Sequence, residues 1–452
     1  MAEYDLVIVG SGSGNSLVTA DFDDWRIAIV EEGVFGGTCV NVGCIPTKMF
    51  VYPADLAAAA SEWRRVNLDG PVPRADWPAL RDRVFERIDA MAENGRDYRA
   101  TGTPNVTLYE EHAEFIAPRT LRLASGTTIT AEHIVLASGT RVHVPDMVEQ
   151  SRVPYETSDT IMRIDELPER LVILGGGYVA AEFAHVFSAF GVRTTVIARS
   201  GLLQHLDHEI VSRLTDVVGD HWQLRSGVKL AGVRSDEGDV VVELDDGSAV
   251  AGDMLLCATG RVPNGDRLNL SAGGVAAHED GRIIVDEHQR TSAEGVWALG
   301  DASSDYLLKH VANAEARVVA HNLAHPDALV ASDHRFVPAA VFTHPQLASV
   351  GMTEEEAAAA GRPYVTAVER YGSTAYGWAM ADTTGLCKLI ADPASGQLLG
   401  AHLMGEQAAT LIQPLIQAMS FGLGVDEMAR GQYWIHPALP EVIENALLAL
   451  RR

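Results

Sequence analysis

The 452-residue sequence predicts an α/β fold built on two β-α-β units, followed by a third, α+β domain. Residues 4–9 form an apolar run that ends in a glycine cluster, and a short helix from about residue 15 leads to a second apolar run at 27–30. The same order recurs between residues 171 and 198. Two units of this kind are typical of Rossmann-like nucleotide-binding domains and indicate two nucleotide cofactors.

The segments outside these units also show regular patterns. Residues 53–99 have helical spacing, and residues 105–136 alternate between apolar and polar side chains as strands do. Residues 228–256 alternate in the same way. From about residue 332 the character changes, and strands, a helix at 354–360 and a long helical stretch indicate the third domain.

Composition limits the classes of partner. The chain has 35 basic and 61 acidic residues, a net charge of −26, so we expect it to repel nucleic acid and anionic membranes. No apolar run is long enough to cross a bilayer, and the first residues lack the pattern of a signal peptide, which favours the cytosol. Of four cysteines, Cys257 and Cys387 lie in apolar surroundings and are expected to be inert core thiols.

The first glycine cluster has the spacing of a dinucleotide-binding loop. Gly10 permits the tight turn, Gly12 allows a pyrophosphate to approach the backbone, and Gly14 relieves part of the crowding at the third position, where Asn15 departs from the usual glycine or alanine. Glu31 follows at a strand end, where it can accept hydrogen bonds from ribose hydroxyls. The alternative is a glycine turn without a ligand.

The segment 36–48 carries the strongest chemical signal. Cys39 and Cys44 are five residues apart, which places them about 140° apart on a regular helix, so they can pair only if the helix is distorted. Glycines at 36, 37 and 43 supply that freedom, and a thiolate at a helix start is acidified and reactive. A structural disulfide is disfavoured in a reducing compartment, and a metal would need a second Cys/His pair, so we expect no metal and a redox-active pair.

The second glycine loop has the full fingerprint, Gly175-x-Gly177-x-x-Ala180. The strand that follows ends without an acidic residue, and Arg199 stands where a 2′-phosphate would lie. Acidic residues at this position select NAD and arginine selects NADP, so the sequence favours NADPH over NADH.

With these motifs the chain resembles, over essentially its whole length, the flavoprotein disulfide reductases, which include glutathione reductase and dihydrolipoamide dehydrogenase. The resemblance implies FAD on the first unit, with the cysteine helix against its ring. It implies that Cys44 is the flavin-facing charge-transfer thiol and Cys39 the interchange thiol, with Lys48 near the flavin and Glu182 as its partner. The alternative for Lys48 and Glu182 is an ordinary solvated helix face.

The resemblance also assigns residues outside the cysteine segment. His436 and Glu441 match the family's acid–base histidine and its orienting carboxylate; imidazole titrates in the range needed to protonate a leaving thiolate. Tyr178 matches the residue that covers the nicotinamide pocket, and Asp301 the aspartate that binds the ribityl chain. In this family the C-terminal domain forms a two-fold interface, which implies a homodimer whose active sites are shared between subunits.

These assignments give complete sets of expected residues. For FAD they are Gly10, Gly12, Gly14, Glu31, Gly37, Thr38, Lys48, Gly139 and Asp301. For NADPH they are Gly175, Gly177, Tyr178, Ala180, Glu182, Arg199 and Gly260. The expected domains are an FAD-binding domain in two parts, 1–145 and 265–331, an NAD(P)-binding domain, 146–264, and an interface domain, 332–452.

Local segments at 12–16, 46–52, 308–312 and 433–441 are similar to family members that reduce mycothiol disulfide. That substrate has no carboxylate to be held, which suits an acidic chain without basic residues at 15–25. The runner-up is a dihydrolipoamide dehydrogenase, which would use NAD, against Arg199. A flavin-binding but catalytically silent protein is a third hypothesis, and the complete cysteine, histidine and glutamate set disfavours it.

Overall fold

The computed structural model describes residues 2–450. Its strands run as follows: β1 (Ala2–Val9), β2 (Ile27–Val30), β3 (Val106–Tyr109), β4 (Ala113–Ala117), β5 (Thr120–Leu123), β6 (Thr128–Leu136), β7 (Thr140–Val142), β8 (Glu156–Thr157), β9 (Arg170–Leu174), β10 (Arg193–Ala198), β11 (Gln223–Ser226), β12 (Leu230–Asp236), β13 (Asp239–Leu244), β14 (Ala249–Gly252), β15 (Met254–Cys257), β16 (Arg261–Pro263), β17 (Val296–Ala298), β18 (Ala339–Val341), β19 (Gln346–Gly351), β20 (Val365–Arg370), β21 (Leu386–Ala391) and β22 (Leu398–Gly405).

The α-helices are α1 (Gly37–Asn41), α2 (Cys44–Ser61), α3 (Trp77–Thr101), α4 (Asp146–Ser151), α5 (Tyr178–Ala189), α6 (His208–Val218), α7 (Lys309–Ala324), α8 (Glu354–Ala359), α9 (Ala375–Ala379), α10 (Ala408–Leu411), α11 (Gln413–Phe421), α12 (Val425–Arg430) and α13 (Glu441–Ala449). Short 3₁₀ turns connect several of them.

The strands form two nucleotide-domain sheets and one C-terminal sheet. The first sheet has the order β3-β2-β1-β6-β5-β4, with β17 added beside β6, so it takes strands from two separate stretches of the chain. The second, parallel sheet has the order β11-β10-β9-β15-β8, and an antiparallel meander of β12 to β14 lies beside it. The two-stranded ribbon β7–β16 lies where the chain passes between the first and the second sheet. This is the α/β fold with two Rossmann-like units that the sequence predicts.

The C-terminal sheet is antiparallel, in the order β18-β19-β22-β21-β20. The central strand β22 and its neighbour β21 are buried along their whole length, and apolar side chains from α10 to α13 pack in the same core. Cys387 lies inside this core and Cys257 inside that of the second domain, both fully buried, which confirms the prediction that they are core thiols.

The first β-α-β unit departs from the predicted pattern, because no α-helix follows its glycine loop. The chain instead forms two 3₁₀ turns, Gly14–Leu17 and Ala20–Phe22, separated by extended backbone at Thr19. Asparagine, serine, threonine and aspartate dominate this stretch, and their side chains compete for the backbone hydrogen bonds of a helix. The Asn105 amide supports the end of the second turn by donating to the carbonyl oxygens of Phe22 and of Trp25, three residues further on.

Elsewhere the predicted elements need small corrections. The strand at 27–30 is confirmed residue for residue, and the second unit is confirmed as β9, α5 and β10. The helical region 53–99 is in fact interrupted between α2 and α3, where residues 67–76 hold a glycine and two prolines that cannot continue a helix. Among residues 2–450, no helix is long and apolar enough to cross a membrane.

Candidate active site

The paired cysteines lie at a break in the helix, as their spacing predicts. Cys39 belongs to the short helix α1, and Cys44 is the first residue of the 18-residue helix α2. Gly43 between them has backbone angles of −128° and −120°, outside the helical range, so the two segments point differently and the two sulfurs meet. Both are free thiols here.

The surroundings of the two sulfurs favour a thiolate on Cys44 rather than on Cys39. The Cys39 S–H donates to Cys44, and this hydrogen bond, together with the charge of Lys48, lowers the pKa of Cys44 to about 7 although burial opposes it. The same hydrogen bond and burial raise the pKa of Cys39, against the charge of Lys309. A thiolate at the first position of a long helix also gains from the unpaired N–H groups there. Cys44 is therefore the thiolate of the pair.

A buried carboxylate connects the cysteine helix to the second nucleotide domain. Lys48, one turn beyond Cys44, lies 2.7 and 2.6 Å from the two carboxylate oxygens of Glu182 on α5. The backbone N–H of Phe342, after β18, donates to the same carboxylate at 3.1 Å, and Lys48 Nζ lies 4.5 Å from the Phe342 ring centre. Glu182 is only 4% exposed, so the alternative of a solvated helix face is wrong for it.

The first glycine loop has a shape that only glycine at its first position allows. Gly10 has a φ of +106°, and a Cβ there would lie 2.2 Å from the carbonyl oxygen of Ala137. Gly12 packs against Gly37 at the start of α1, so the loop and the cysteine segment are in direct contact. Of the other residues expected here, Gly14 is buried in the loop and Thr38 is exposed in α1.

Glu31 stands at the end of β2 with its carboxylate turned toward this loop. One oxygen accepts from the N–H and hydroxyl of Ser11, at 2.8 and 2.7 Å, and the other from the N–H of Gly33 at 2.9 Å. A carboxylate can accept about four hydrogen bonds, so it retains capacity for a ribose hydroxyl. The set of donors and acceptors fits the adenosine half of FAD.

Asp301 fits the ribityl chain of the same cofactor. Burial raises its pKa, and the hydroxyl of Thr140 donates to it at 3.2 Å. The guanidinium of Arg261 holds Thr140 in place at 2.7 Å. Gly139 and Gly260 flank this contact at the β7–β16 ribbon, where their carbonyl oxygens accept backbone hydrogen bonds.

The second glycine loop leads into α5 as the fingerprint requires. Gly175 has a φ of +131°, and a Cβ there would lie 2.1 Å from the Ala258 carbonyl oxygen. Gly177 caps α5, Tyr178 is its first residue, and Ala180 is fully buried. Burial raises the pKa of Tyr178 to about 12, so its hydroxyl is neutral.

The residue expected to bind the 2′-phosphate of NADPH is accessible to solvent. Arg199 directly follows β10 and is exposed, and within residues 2–450 its guanidinium has no hydrogen-bond or ion-pair partner. Gln204, nearby in the chain, donates to the Leu202 carbonyl oxygen at 3.3 Å. A free guanidinium at this strand end fits a 2′-phosphate.

The histidine–glutamate pair lies in the C-terminal segment of the chain, where α13 begins. His436 Nδ1 is 2.6 Å from Glu441 Oε1 at the start of α13, and the N–H of Ala438 donates to the other oxygen at 3.2 Å. The histidine is 70% exposed whereas the glutamate is 15% exposed. Tyr433 and Ile435, just before it, are also exposed. No hydrogen bond described for residues 2–450 joins His436 to the cysteines of its own chain.

Two basic residues near the first glycine loop were missed by sequence reasoning. Lys309, the first residue of α7, donates to the Ser13 hydroxyl at 2.8 Å. Arg99, near the end of α3, donates to Asn15 at 2.7 and 3.2 Å. The segment holding Lys309 was part of the resemblance, but Arg99 is 84 residues from Asn15 and carries no motif.

Comparisons with known proteins place this site in a family. The model described as "pyridine nucleotide-disulphide oxidoreductase" matches residues 4–317, and the model of the dimerisation domain of that class matches residues 337–447. The chain therefore belongs to the pyridine nucleotide-disulphide oxidoreductases, the flavoprotein disulfide reductases. It is an enzyme of this class that uses FAD and a pyridine nucleotide, and its dimerisation domain indicates a homodimer.

Two individual relatives and one solved structure are similar to this chain along nearly its whole length. The chain is 53% identical to mycothione reductase from Mycobacterium tuberculosis, with all of both chains covered. It is 34% identical to a mercuric reductase from Streptomyces lividans, covering 96% of this chain and 93% of the relative. Among solved structures, an HOCl-induced flavoprotein disulfide reductase from Escherichia coli matches with a TM-score of 0.88 at 28% identity, covering 98% of this chain and 99% of that one.

Proposed function

We propose that the chain catalyses the NADPH-dependent reduction of mycothiol disulfide to two molecules of mycothiol. The observation that supports this choice of substrate is the 53% identity to mycothione reductase along the full length of both chains. Two dihydrolipoyl dehydrogenases among the relatives are 31 and 32% identical to this chain. We place the activity in the cytosol, where a reducing environment suits a chain with two buried unpaired thiols in addition to its redox pair.

We further propose that the four segments 1–145, 146–264, 265–331 and 332–452 form the FAD-binding, NAD(P)-binding, second FAD-binding and interface parts. The first sheet supports this division, because β17 from the third segment lies beside β6 from the first. FAD, when bound, supplies the two-electron link between the nucleotide and the Cys39–Cys44 disulfide. Tyr178 would close the nicotinamide pocket, and Lys48, fixed by Glu182, would place a positive charge beside the ring.

The reduced cysteines then carry out the disulfide exchange. The proton of Cys39 passes to His436 as the Cys39 sulfur attacks the substrate disulfide, forming a mixed disulfide and releasing one thiolate. His436 returns that proton to the departing thiolate. The Cys44 thiolate attacks the Cys39 sulfur, which restores the Cys39–Cys44 disulfide and releases the second thiolate, protonated from solvent. Glu441 stabilises the charged imidazole and fixes its orientation.

The two halves of this site come, in our proposal, from different subunits. His436 is exposed beside Tyr433 and Ile435, and the dimerisation model covers this segment. In a two-fold dimer, the contact of one subunit's histidine with the partner's cysteines is matched by the reverse contact, so two identical sites form at once. The proposal accounts for an exposed catalytic histidine without a contact to the cysteines of its own chain.

Subunit complementation tests the shared site. One subunit carries Cys39→Ser and Cys44→Ser, the other His436→Ala, and each homodimer should be nearly inactive. The purified mixed dimer has one intact and one doubly defective site, so it should recover roughly half of the wild-type activity. Activity no greater than that of the parent homodimers would show that the histidine serves its own chain.

The substrate is tested by measuring kcat/KM for mycothiol, lipoamide and glutathione disulfides with the same enzyme. We expect mycothiol disulfide to give the highest value with NADPH. A higher kcat/KM for the oxidation of dihydrolipoamide by NAD would establish the runner-up, a dihydrolipoamide dehydrogenase. No turnover of any disulfide by a flavin-loaded enzyme would support the silent flavin-binding protein.

A further inference from the structure

The diphosphate of FAD poses an electrostatic problem in this chain. In dinucleotide loops the negative charge of the diphosphate is met by the start of an α-helix, whose free N–H groups and dipole point at it. The first glycine loop here continues only into the four-residue 3₁₀ turn Gly14–Leu17. The aligned peptide dipoles end at the extended Thr19, so this source of positive potential is largely missing.

Two cations from distant parts of the chain hold the same loop. Lys309 Nζ donates to the Ser13 hydroxyl, which in turn lies 3.2 Å from the side-chain oxygen of Asn313 on α7. On the other flank, Arg99 Nε donates to the side-chain oxygen of Asn15 at 2.7 Å, and its Nη2 to the Asn15 carbonyl oxygen at 3.2 Å. The loop is thus bound by one cation on each side.

Neither cation has a salt bridge within the described part of the chain to balance it, although Lys309 lies near enough to Asp301 to oppose the rise in the pKa of that carboxyl. Within residues 2–450, no carboxylate forms an ion pair with Lys309 or Arg99, in a chain with 61 acidic residues. Arg99 is the one arginine that is buried in that range, and burial lowers its pKa. A buried charge without a counter-ion is strongly unfavourable unless a ligand supplies the opposite charge.

We infer that Lys309 and Arg99 are positioning residues for FAD that replace the missing helix start, neutralising the diphosphate and clamping the loop that receives it. The inference rests on the proposed placement of FAD at the first glycine loop. It also explains Asn15, which departs from the usual fingerprint. A glycine or alanine at this position would offer Arg99 no side-chain acceptor, whereas the asparagine amide provides one.

The test measures FAD binding to the holoenzyme rather than turnover. The dissociation constant is obtained from the fluorescence of FAD released on dilution, at several NaCl concentrations. Lys309→Met and Arg99→Met should each weaken FAD binding about tenfold or more, since hydrogen bonds to charged groups are strong, and the double variant about a hundredfold. The wild-type affinity should fall with salt, and the double variant should show a smaller salt dependence. Arg96→Met is the matched control and should bind like the wild type, because Arg96 is a half-buried arginine on the same helix that is paired with Glu110.

Two further variants separate charge from support of the loop. Arg99→Lys keeps the charge without the two-pronged contact, so it should bind FAD more tightly than Arg99→Met and retain the wild-type salt dependence. Asn15→Gly should weaken binding less than Arg99→Met. If Arg99→Lys and Arg99→Met bind FAD equally weakly and both keep the wild-type salt dependence, Arg99 supports the loop only sterically and the inference fails.

The inference and the placement of FAD can fail separately. Glu31→Gln removes the carboxylate proposed for the ribose and should weaken FAD binding on its own. If Glu31→Gln weakens binding while the Lys309→Met, Arg99→Met double variant stays within about threefold of the wild type, FAD lies at the loop but the cations do not hold it. If neither change affects binding, the placement itself is wrong. Circular dichroism and the thermal midpoint of each holoenzyme show that a loss of FAD is not a loss of fold.

Discussion

Replacing Cys39 by alanine tests which sulfur carries the negative charge. The hydrogen bond from the Cys39 S–H is the largest influence on Cys44, and with the charge of Lys48 it brings the pKa of Cys44 from 9.0 to about 7. That change is about a hundredfold in acidity. Cys39→Ala removes the donor but leaves Lys48 and the helix start. Because Lys48 and the helix start still favour the thiolate, the donor accounts for only part of the change, and we expect its loss to make Cys44 about tenfold less acidic.

The matched control is Cys39→Ser, whose hydroxyl still donates to the Cys44 sulfur. In both variants the thiolate beside the oxidised cofactor gives a long-wavelength charge-transfer absorbance, which is followed as a function of pH. The midpoint should lie near 7 in Cys39→Ser and clearly higher in Cys39→Ala, and Cys44→Ser should show no band. Equal midpoints would show that the Cys39 hydrogen bond does not acidify Cys44. A band in Cys44→Ser, absent from Cys39→Ser, would exchange the two roles.

Three other changes have defined outcomes. Arg199→Ala should lower the preference for NADPH over NADH about tenfold, measured as the ratio of kcat/KM values; a wild-type enzyme that prefers NADH would refute the proposed nucleotide. Glu441→Ala should lower kcat by about tenfold or more with little change in KM, because His436 loses its orienting carboxylate; an unchanged kcat would remove Glu441 from the mechanism. Lys388→Met should destabilise the fold by about 3–5 kcal/mol in urea unfolding, because it leaves the fully buried Asp207 unpaired. Burial acts to raise the pKa of Asp207, but the hydrogen bond from Lys388 opposes burial and helps to keep that pKa below its ordinary 3.8. The stability that this pair contributes is therefore present above pH 3.8 and is lost as the pH falls through the pKa of Asp207 in the folded protein. A free energy of unfolding that is the same at pH 5 and pH 3 would contradict this.

The sequence predicts the elements that have a strong local signal. The strand at 27–30 and the unit from β9 to β10 follow from apolar runs, and the redox pair from its spacing and glycines. A distortion of the helix between the two cysteines was also predicted, because two sulfurs five residues apart cannot meet on a regular helix; the sequence did not predict that Cys44 begins the longer helix.

What the sequence could not predict depends on contacts between distant segments. The glycine loop at residue 10 predicts a helix, yet the polar stretch after it forms 3₁₀ turns that are supported by Asn105. Arg99 reaches Asn15 across 84 residues, and no local pattern distinguishes it from the solvated arginines of the same helix. Likewise, the sequence suggests that His436 pairs with Glu441 but does not show how exposed the pair is.

Glu182 also restricts how the molecule moves. Its buried carboxylate is satisfied from two other domains, by Lys48 on the cysteine helix and by the Phe342 backbone. Moving the second sheet away from both neighbours would break the hydrogen bonds from Lys48 and from Phe342 together, and hydrogen bonds to charged groups contribute about 1.5–3 kcal/mol each, so the closed arrangement is favoured. We therefore expect the nucleotide to enter and leave through side-chain rearrangement rather than through separation of these elements. Tyr178, one turn earlier on the helix that carries Glu182, is the side chain whose rotation would serve as the gate.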